Sequence, residues 1–338
     1  MKSEKIISIS PLDFMWPVKD PFLFCVHHKD QYPPGNAEMG PAVSLKGRNL
    51  GNDFIIKDGW RMYHGETVPG FPAHPHRGFE TVTAVINGFV DHSDSHGQAG
   101  RYGNGDVQWM TAGKGLQHCE MFPLINSEKE NPLELFQIWL NLPKAKKFAE
   151  PHFKMLWNED IPLLIKEDEN GNKIEIRAIA GKIENVTAPE PAPDSWAADS
   201  ENEVAIWTIK MHPGSKMIIP PTNNDVSRSL YFYQGNSISV DGISVSQKNC
   251  IEVLSKSELI IKNSNSESYL VLLQGKQINE PVVQYGPFVM NTKDEIQQAY
   301  LDYQETQFGG WPWERHDIVH PKTMGRFARH LNGKEELK

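Results

Sequence analysis

Four side chains in the first half of the chain have the types and spacing to hold one metal ion. His74 and His76 lie in Ala73-His74-Pro75-His76-Arg77-Gly78-Phe79-Glu80, and His118 and Glu120 lie in Gly113-Lys114-Gly115-Leu116-Gln117-His118-Cys119-Glu120. Each pair is spaced i, i+2, and on an extended strand such residues point to one face. Two strands of this kind facing each other bring three imidazoles and one carboxylate together, a donor set that suits a transition metal. Cys119 falls between two of the donors and faces the other way, as a small core residue. Glu80 has two readings, a fifth ligand or a hydrogen-bonding residue behind the ligands. His27, His28, His64, His152 and His212 have no partner at ligand spacing, and His92 and His96 read as members of a solvated loop. No histidine occurs between His212 and His316, so only the first half can carry an HxH site.

The elements that must position these residues read mostly as strands. From Glu80, Val82, Ala84 and Ile86 alternate with Thr81, Thr83 and Val85, and Asn87-Gly88 predicts a tight hairpin returning through Phe89-Val90. Val107–Met110 and the apolar run Phe136–Leu142 are further strands, with Gly97, Gly100, Gly103 and Gly105 marking turns. Many short strands with frequent turns predict an antiparallel barrel or sandwich. Ala188-Pro189-Glu190-Pro191-Ala192-Pro193 cannot sit inside a sheet and reads as a surface excursion at a domain boundary. A second set of short strands follows, from Val204 to Leu273, as an internal duplication would give. We therefore expect a metal-binding domain over 1–185, a proline-rich loop over 186–203, and a second domain without a metal site over 204–338. Near the end, Thr292-Lys293-Asp294-Glu295 has the form of a capping box, and Ile296, Ala299, Tyr300 and Tyr303 follow at helical spacing. The tail from Arg326 to Lys338 is polar and reads as mobile.

Composition narrows the function. The 338 residues carry a net charge of −9, which argues against broad binding to nucleic acid or an anionic membrane. The basic end around Arg315, Lys322, Arg326 and Arg329 reads as surface cover. Cys25, Cys119 and Cys250 are dispersed and odd in number, so neither a disulfide framework nor a thiolate zinc site is signalled. No secretory leader and no long apolar span is evident, and a reducing cytoplasm is the expected location. GxSxG, Walker and strand-linked GxGxxG motifs are missing from the sequence.

The residues also carry a resemblance. His74-Pro75-His76-Arg77-Gly78-Phe79-Glu80-Thr81-Val82 resembles the first cupin motif in its pirin form, and Gly105-Asp106-Val107-Gln108-Trp109-Met110-Thr111-Ala112-Gly113-Lys114-Gly115-Leu116-Gln117-His118-Cys119-Glu120-Met121 resembles the second. Asp20-Pro21-Phe22-Leu23, Gly286-Pro287-Phe288-Val289-Met290-Asn291-Thr292, Phe308-Gly309-Gly310-Trp311-Pro312 and Arg326-Phe327-Ala328-Arg329-His330 extend the similarity along nearly the whole chain. It departs in a longer segment from about Pro33 to Val68 and in the proline-rich excursion, both able to reshape the entrance to the site.

The resemblance implies an all-β bicupin of two antiparallel β-barrel (jelly-roll) domains with a short C-terminal helix. It implies one Fe(II) held by His74, His76, His118 and Glu120, with Glu80 outside the ligand set. Nickel, manganese, copper, cobalt and zinc remain compatible with the same donors. Function then divides two ways. The first is a quercetin 2,3-dioxygenase-like enzyme that cleaves flavonols, with Glu120 leaving the metal to accept the substrate hydroxyl proton. The second is a non-enzymatic, iron-dependent redox-sensing regulator that binds a transcription factor or metabolic enzyme. A small aromatic substrate or a protein partner is expected, without direct nucleic-acid or membrane binding, in a monomer.

Overall fold

Apolar positions recur with period two along short runs separated by turn residues, and strands dominate the structure accordingly. The computed structural model describes residues 3–338. They form two compact units that interleave along the chain. One comprises the chain up to Val26, Ile138–Asn141 and Glu159–Asn279; the other comprises His27–Gln137, Leu142–Asn158 and Glu280–Lys338. This differs from contiguous domains over 1–185 and 204–338. Strand Ile6–Pro11 pairs with Asn249–Val253, and the chain beyond Glu280 belongs to the unit that carries the histidines. Pairings across hundreds of residues leave no local mark in composition.

The histidine-bearing unit has a six-stranded sheet in the order Glu335–Leu337, Phe327–Arg329, Ala99–Gly103, Phe89–Asp94, Leu116–Met121, Gly70–His76. A five-stranded sheet runs His152–Leu156, Val107–Thr111, Phe79–Asn87, Asn131–Asn141, Phe22–Tyr32. Val85, Val90, Tyr102, Phe122, Leu133, Leu135 and Phe153 are buried in one core cluster. The hairpin expected at Asn87-Gly88 is a corner instead, because Phe79–Asn87 and Phe89–Asp94 lie in different sheets. Gly88 has φ +84°, and a Cβ there would lie 2.7 Å from the Pro132 carbonyl oxygen.

The C-terminal helix Lys293–Thr306 starts with the predicted capping box, Thr292 and Glu295 each capping the other's backbone. Its Ile296 and Ala299 pack with Phe288, Met290 and Phe308. The tail is not loose: Phe327–Arg329 adds to the edge strand Ala99–Gly103, with Phe327 and Ala328 buried. Arg101 forks onto Asp91 at 2.7 Å and also donates to the carbonyls of His320, Pro321 and Met324, clamping this return. The basic end is paired with acids: Arg326 with the buried Asp106, Arg315 with Asp317, and Arg329 with Glu335.

The other unit has a seven-stranded sheet in the order Ile6–Pro11, Asn249–Val253, Ser227–Gln234, Ser268–Gly275, Ala205–Met211, Lys173–Ala180, Leu163–Glu167. Its four-stranded sheet runs Lys216–Ile219, Leu259–Asn263, Ser237–Val240, Ile243–Ser246. Trp207, Leu230, Phe232, Leu270 and Leu272 lie in its core. The proline-rich excursion belongs to this unit and buries Ala188 and Ala192. No helix among the described residues is long and apolar enough to cross a membrane.

The long segment 33–68 is tied down by a buried polar chain. Arg61 forks onto Asp30 at 2.9 and 3.0 Å, and the Tyr63 hydroxyl donates to the same carboxylate at 2.6 Å. With its proton so placed, the Tyr63 oxygen accepts from His28 Nδ1 at 2.8 Å. Burial, then the neighbouring Arg61 charge, push His28 down from 6.5 to about 3. Between these two values the unfolded chain binds a proton that the folded His28 does not, so folding stability falls as pH drops. This group contributes a slope of up to about 1.4 kcal/mol per pH unit. Denaturation midpoints followed from neutral to acid pH should fall more steeply for the native chain than for His28→Gln; parallel curves would show that His28 titrates normally.

Candidate metal centre

Strands Gly70–His76 and Leu116–Met121 pair antiparallel with His74 directly opposite His118. A register shift between Phe71 and His74 sets where the first histidine falls. On the other side of Leu116–Met121 lies Phe89–Asp94, with His92 opposite Glu120 and Asp94 opposite His118. Gly78 closes the first ligand strand: its N–H donates to the Gly113 carbonyl at 2.9 Å. It has φ +86°, and a Cβ there would lie 2.0 Å from the Val289 carbonyl oxygen, so no larger residue fits without a shift.

The structure brings the three predicted histidines together. One ring nitrogen from each of His74, His76 and His118 lies within 4.8 Å of the others. The hydrogen bonds fix two tautomers. His74 Nδ1 donates to the Pro72 carbonyl at 2.8 Å and His76 Nδ1 donates to the Pro287 carbonyl at 3.3 Å. Both rings therefore present an unprotonated Nε2. His118 is fully buried and neither of its ring nitrogens has a hydrogen-bond partner. Burial holds His74 down at about 4 and holds His76 and His118 well below the usual imidazole range, reinforced by the neighbouring rings. Three neutral imidazoles with converging lone pairs and orphaned nitrogens fit a divalent transition metal.

Glu120 stands beside this group: its Oε2 lies 3.9 Å from His118 Nε2. The carboxylate sits in a polar cradle. The Thr83 hydroxyl lies 3.0 Å from Oε1 and 2.5 Å from Gln137 Oε1, the Tyr102 hydroxyl lies 3.4 Å from Oε1, and Gln137 Nε2 donates to Oε2 at 3.2 Å. Burial pushes the Glu120 carboxyl up, opposed by His92 and by these hydrogen bonds. Glu80 is fully buried and accepts from the Thr111 hydroxyl at 2.7 Å, outside the histidine group. Cys119 packs with Val68 and Met121 on the opposite face, and burial pushes its thiol up to about 12.

Two features of the surroundings differ from the sequence reading or escape it. His92 is not in a solvated loop: it is fully buried on a strand, its ring 5.6 Å from that of His118 and stacked on Phe153 at 5.1 Å. Its Nδ1 has no hydrogen-bond partner. Its i, i+2 spacing to Asp94 was the available signal, masked by the polarity of Asp91-His92-Ser93-Asp94. On the other flank His74 is only half-buried, and Phe71 lies beside it with ring centres 6.4 Å apart. Phe71 in turn contacts Phe54, Tyr63, His64 and Phe122. Phe54, Tyr63 and His64 come from the long segment before the first motif, so that segment packs around Phe71 beside His74.

The chain is similar to known proteins over most of its length. The family model described as Pirin matches residues 19–140, and that described as the Pirin C-terminal cupin domain matches residues 206–309. A Thermoplasma acidophilum protein named "Putative quercetin 2,3-dioxygenase" is 35% identical over 252 residues, covering 71% of this chain and 92% of its own length. A pirin-like protein of Solanum lycopersicum is 40% identical over 242 residues, covering 70% and 75%. The crystal structure of a quercetin 2,3-dioxygenase from Acinetobacter baumannii superposes with a TM-score of 0.69 at 26% identity, covering 90% of this chain and 98% of that one.

Removing one imidazole should empty the centre. His118→Ala is expected to bind no stoichiometric metal by elemental analysis, whereas Gln137→Leu, which frees one oxygen of Glu120, should bind it about 10–100-fold more weakly. Full metal content in His118→Ala would place the site elsewhere.

Proposed function

The chain belongs to the pirin family of bicupins, and from that premise we propose that it is an iron-dependent dioxygenase cleaving flavonols such as quercetin. The observation that carries this reading is the aromatic group at the more open edge of the centre. Partly buried Phe71 adjoins His74 and is held from behind by Phe54 and by the buried Tyr63 and Phe122. A flat, polyphenolic molecule can stack there while its hydroxyls reach toward the imidazoles. The relatives named for quercetin cleavage support the substrate class.

His74, His76, His118 and Glu120 would hold the metal. Nitrogen and carboxylate donors without a thiolate suit iron in its reduced state. When bound, iron supplies a redox-active Lewis acid beside which an aromatic enol and dioxygen react. The chain supplies the rest. Low imidazole pKa values keep the three ligands free of competing protons. Glu120 accepts the flavonol hydroxyl proton at a carboxylate oxygen, and burial raises its basicity for that task. Thr83, Tyr102 and Gln137 orient that carboxylate, and the aromatic side chains fix the ring plane and exclude water.

Protein purified without added metal should contain about one iron per chain; a stoichiometric content of another metal overturns the iron assignment. Iron-loaded protein in air should consume oxygen with quercetin and release carbon monoxide. Glu120→Gln should lower kcat by about 10²–10⁴-fold. A fully iron-loaded chain that turns over no member of a flavonol panel overturns the enzymatic reading and leaves the redox-sensing one.

A further inference from the structure

In the unit without the three histidines, the core-facing side of the seven-stranded sheet carries a different polar group. Arg228 on Ser227–Gln234 lies directly opposite Gln274 on Ser268–Gly275, and Gln274 lies opposite Ala205. Two residues further along, Leu230, Leu272 and Trp207 form the next rung. Residues two apart share a face, so Arg228 and Gln274 point the same way as this apolar core.

Arg228 is 3% exposed. Its Nε donates to Gln274 Oε1 at 2.7 Å and its Nη2 donates to the Pro220 carbonyl at 3.0 Å. Nη1 is buried with no hydrogen-bond partner. No carboxylate lies within 4.0 Å of the guanidinium among the described residues. Glu203, the acid whose charge reaches Arg228, is engaged by the backbone amides of Asn223 at 3.0 Å and Asn224 at 2.7 Å. Gln274 is engaged at both ends, since its Nε2 donates to the Glu203 carbonyl at 3.1 Å. On the next rung Trp207 Nε1 is a second buried donor without a partner.

Two buried donors and one positive charge therefore face an interior that offers them no acceptor. A guanidinium so placed is unfavourable unless an anion neutralises it. With Nε and Nη2 engaged, Nη1 is the charged donor left to meet an oxygen of a carboxylate or phosphate. Burial accordingly pushes Arg228 down to about 10. We propose that Arg228 anchors a second ligand site, independent of the metal centre, that takes a small oxyanion, a carboxylate or phosphate group, on Nη1. Gln274 is the positioning residue that holds the fork in place through Nε.

The test uses the metal-loaded full chain with sodium acetate, sodium benzoate and sodium phosphate at constant ionic strength. Thermal melting and titration calorimetry should show a saturable response to at least one probe, and the pattern among the three identifies the anion class. Arg228→Met should lose that response, read against its own melting without added anion, because it removes Nη1 together with the charge. Arg228→Lys keeps the charge but not a donor held at the Nη1 position and should bind the same probe at least 10-fold more weakly. If Arg228→Met does not fold, the Lys variant decides. No saturable response in the native chain to any probe, or an undiminished response in either variant, overturns the proposal. Metal content is measured throughout and should stay at the native level, so failure here is distinct from failure of the iron reading.

Discussion

Residues directly opposite on antiparallel strands share a face, and a slip of one residue reverses every face at once. The centre depends on one such register, that which sets His74 against His118. It is held from several sides. Gly78 ties the end of the first strand to Gly113, and Asp94 and His92 pair with His118 and Glu120 from the neighbouring strand. The polar side chains this register buries are tolerated because the histidines stay neutral and the carboxylate has its own hydrogen-bonding cradle.

The two units share an architecture of paired sheets but furnish their interiors differently. One directs imidazoles inward from paired strands. The other directs a guanidinium and an amide inward at an equivalent kind of cross-strand pair, Arg228 with Gln274. Converging imidazole lone pairs favour a cation, whereas a guanidinium braced by an amide presents a positive charge instead. Similar paired sheets therefore carry interiors of opposite electrostatic character through the choice of a few side chains.

What the sequence disclosed was whatever period two encodes. The convergence of His74, His76 and His118, the outward turn of Cys119 and the capping box at Thr292 all follow from spacing within a few residues. Features that depend on distant partners were hidden. Asn87-Gly88 has the composition of a tight turn, but pairing in two different sheets makes it a corner. His92 sits in a polar run that looks solvated, and only the strands on either side bury it. Phe327-Ala328-Arg329 looked like a loose tail because its partner strand lies more than two hundred residues upstream. The interleaving of the units has the same cause.

The Pro287 carbonyl that sets the tautomer of His76 lies 211 residues downstream, and Ala73 on the same strand donates to the carbonyl of His316. On a translating ribosome neither partner exists when the HxH motif emerges. At about 5–20 residues per second, roughly 10–40 s separate the synthesis of His76 from that of Pro287. During that interval the hydrogen bonds that hold His76 and its strand to the C-terminal segment have no acceptor, so the centre is complete only after His316 has been made.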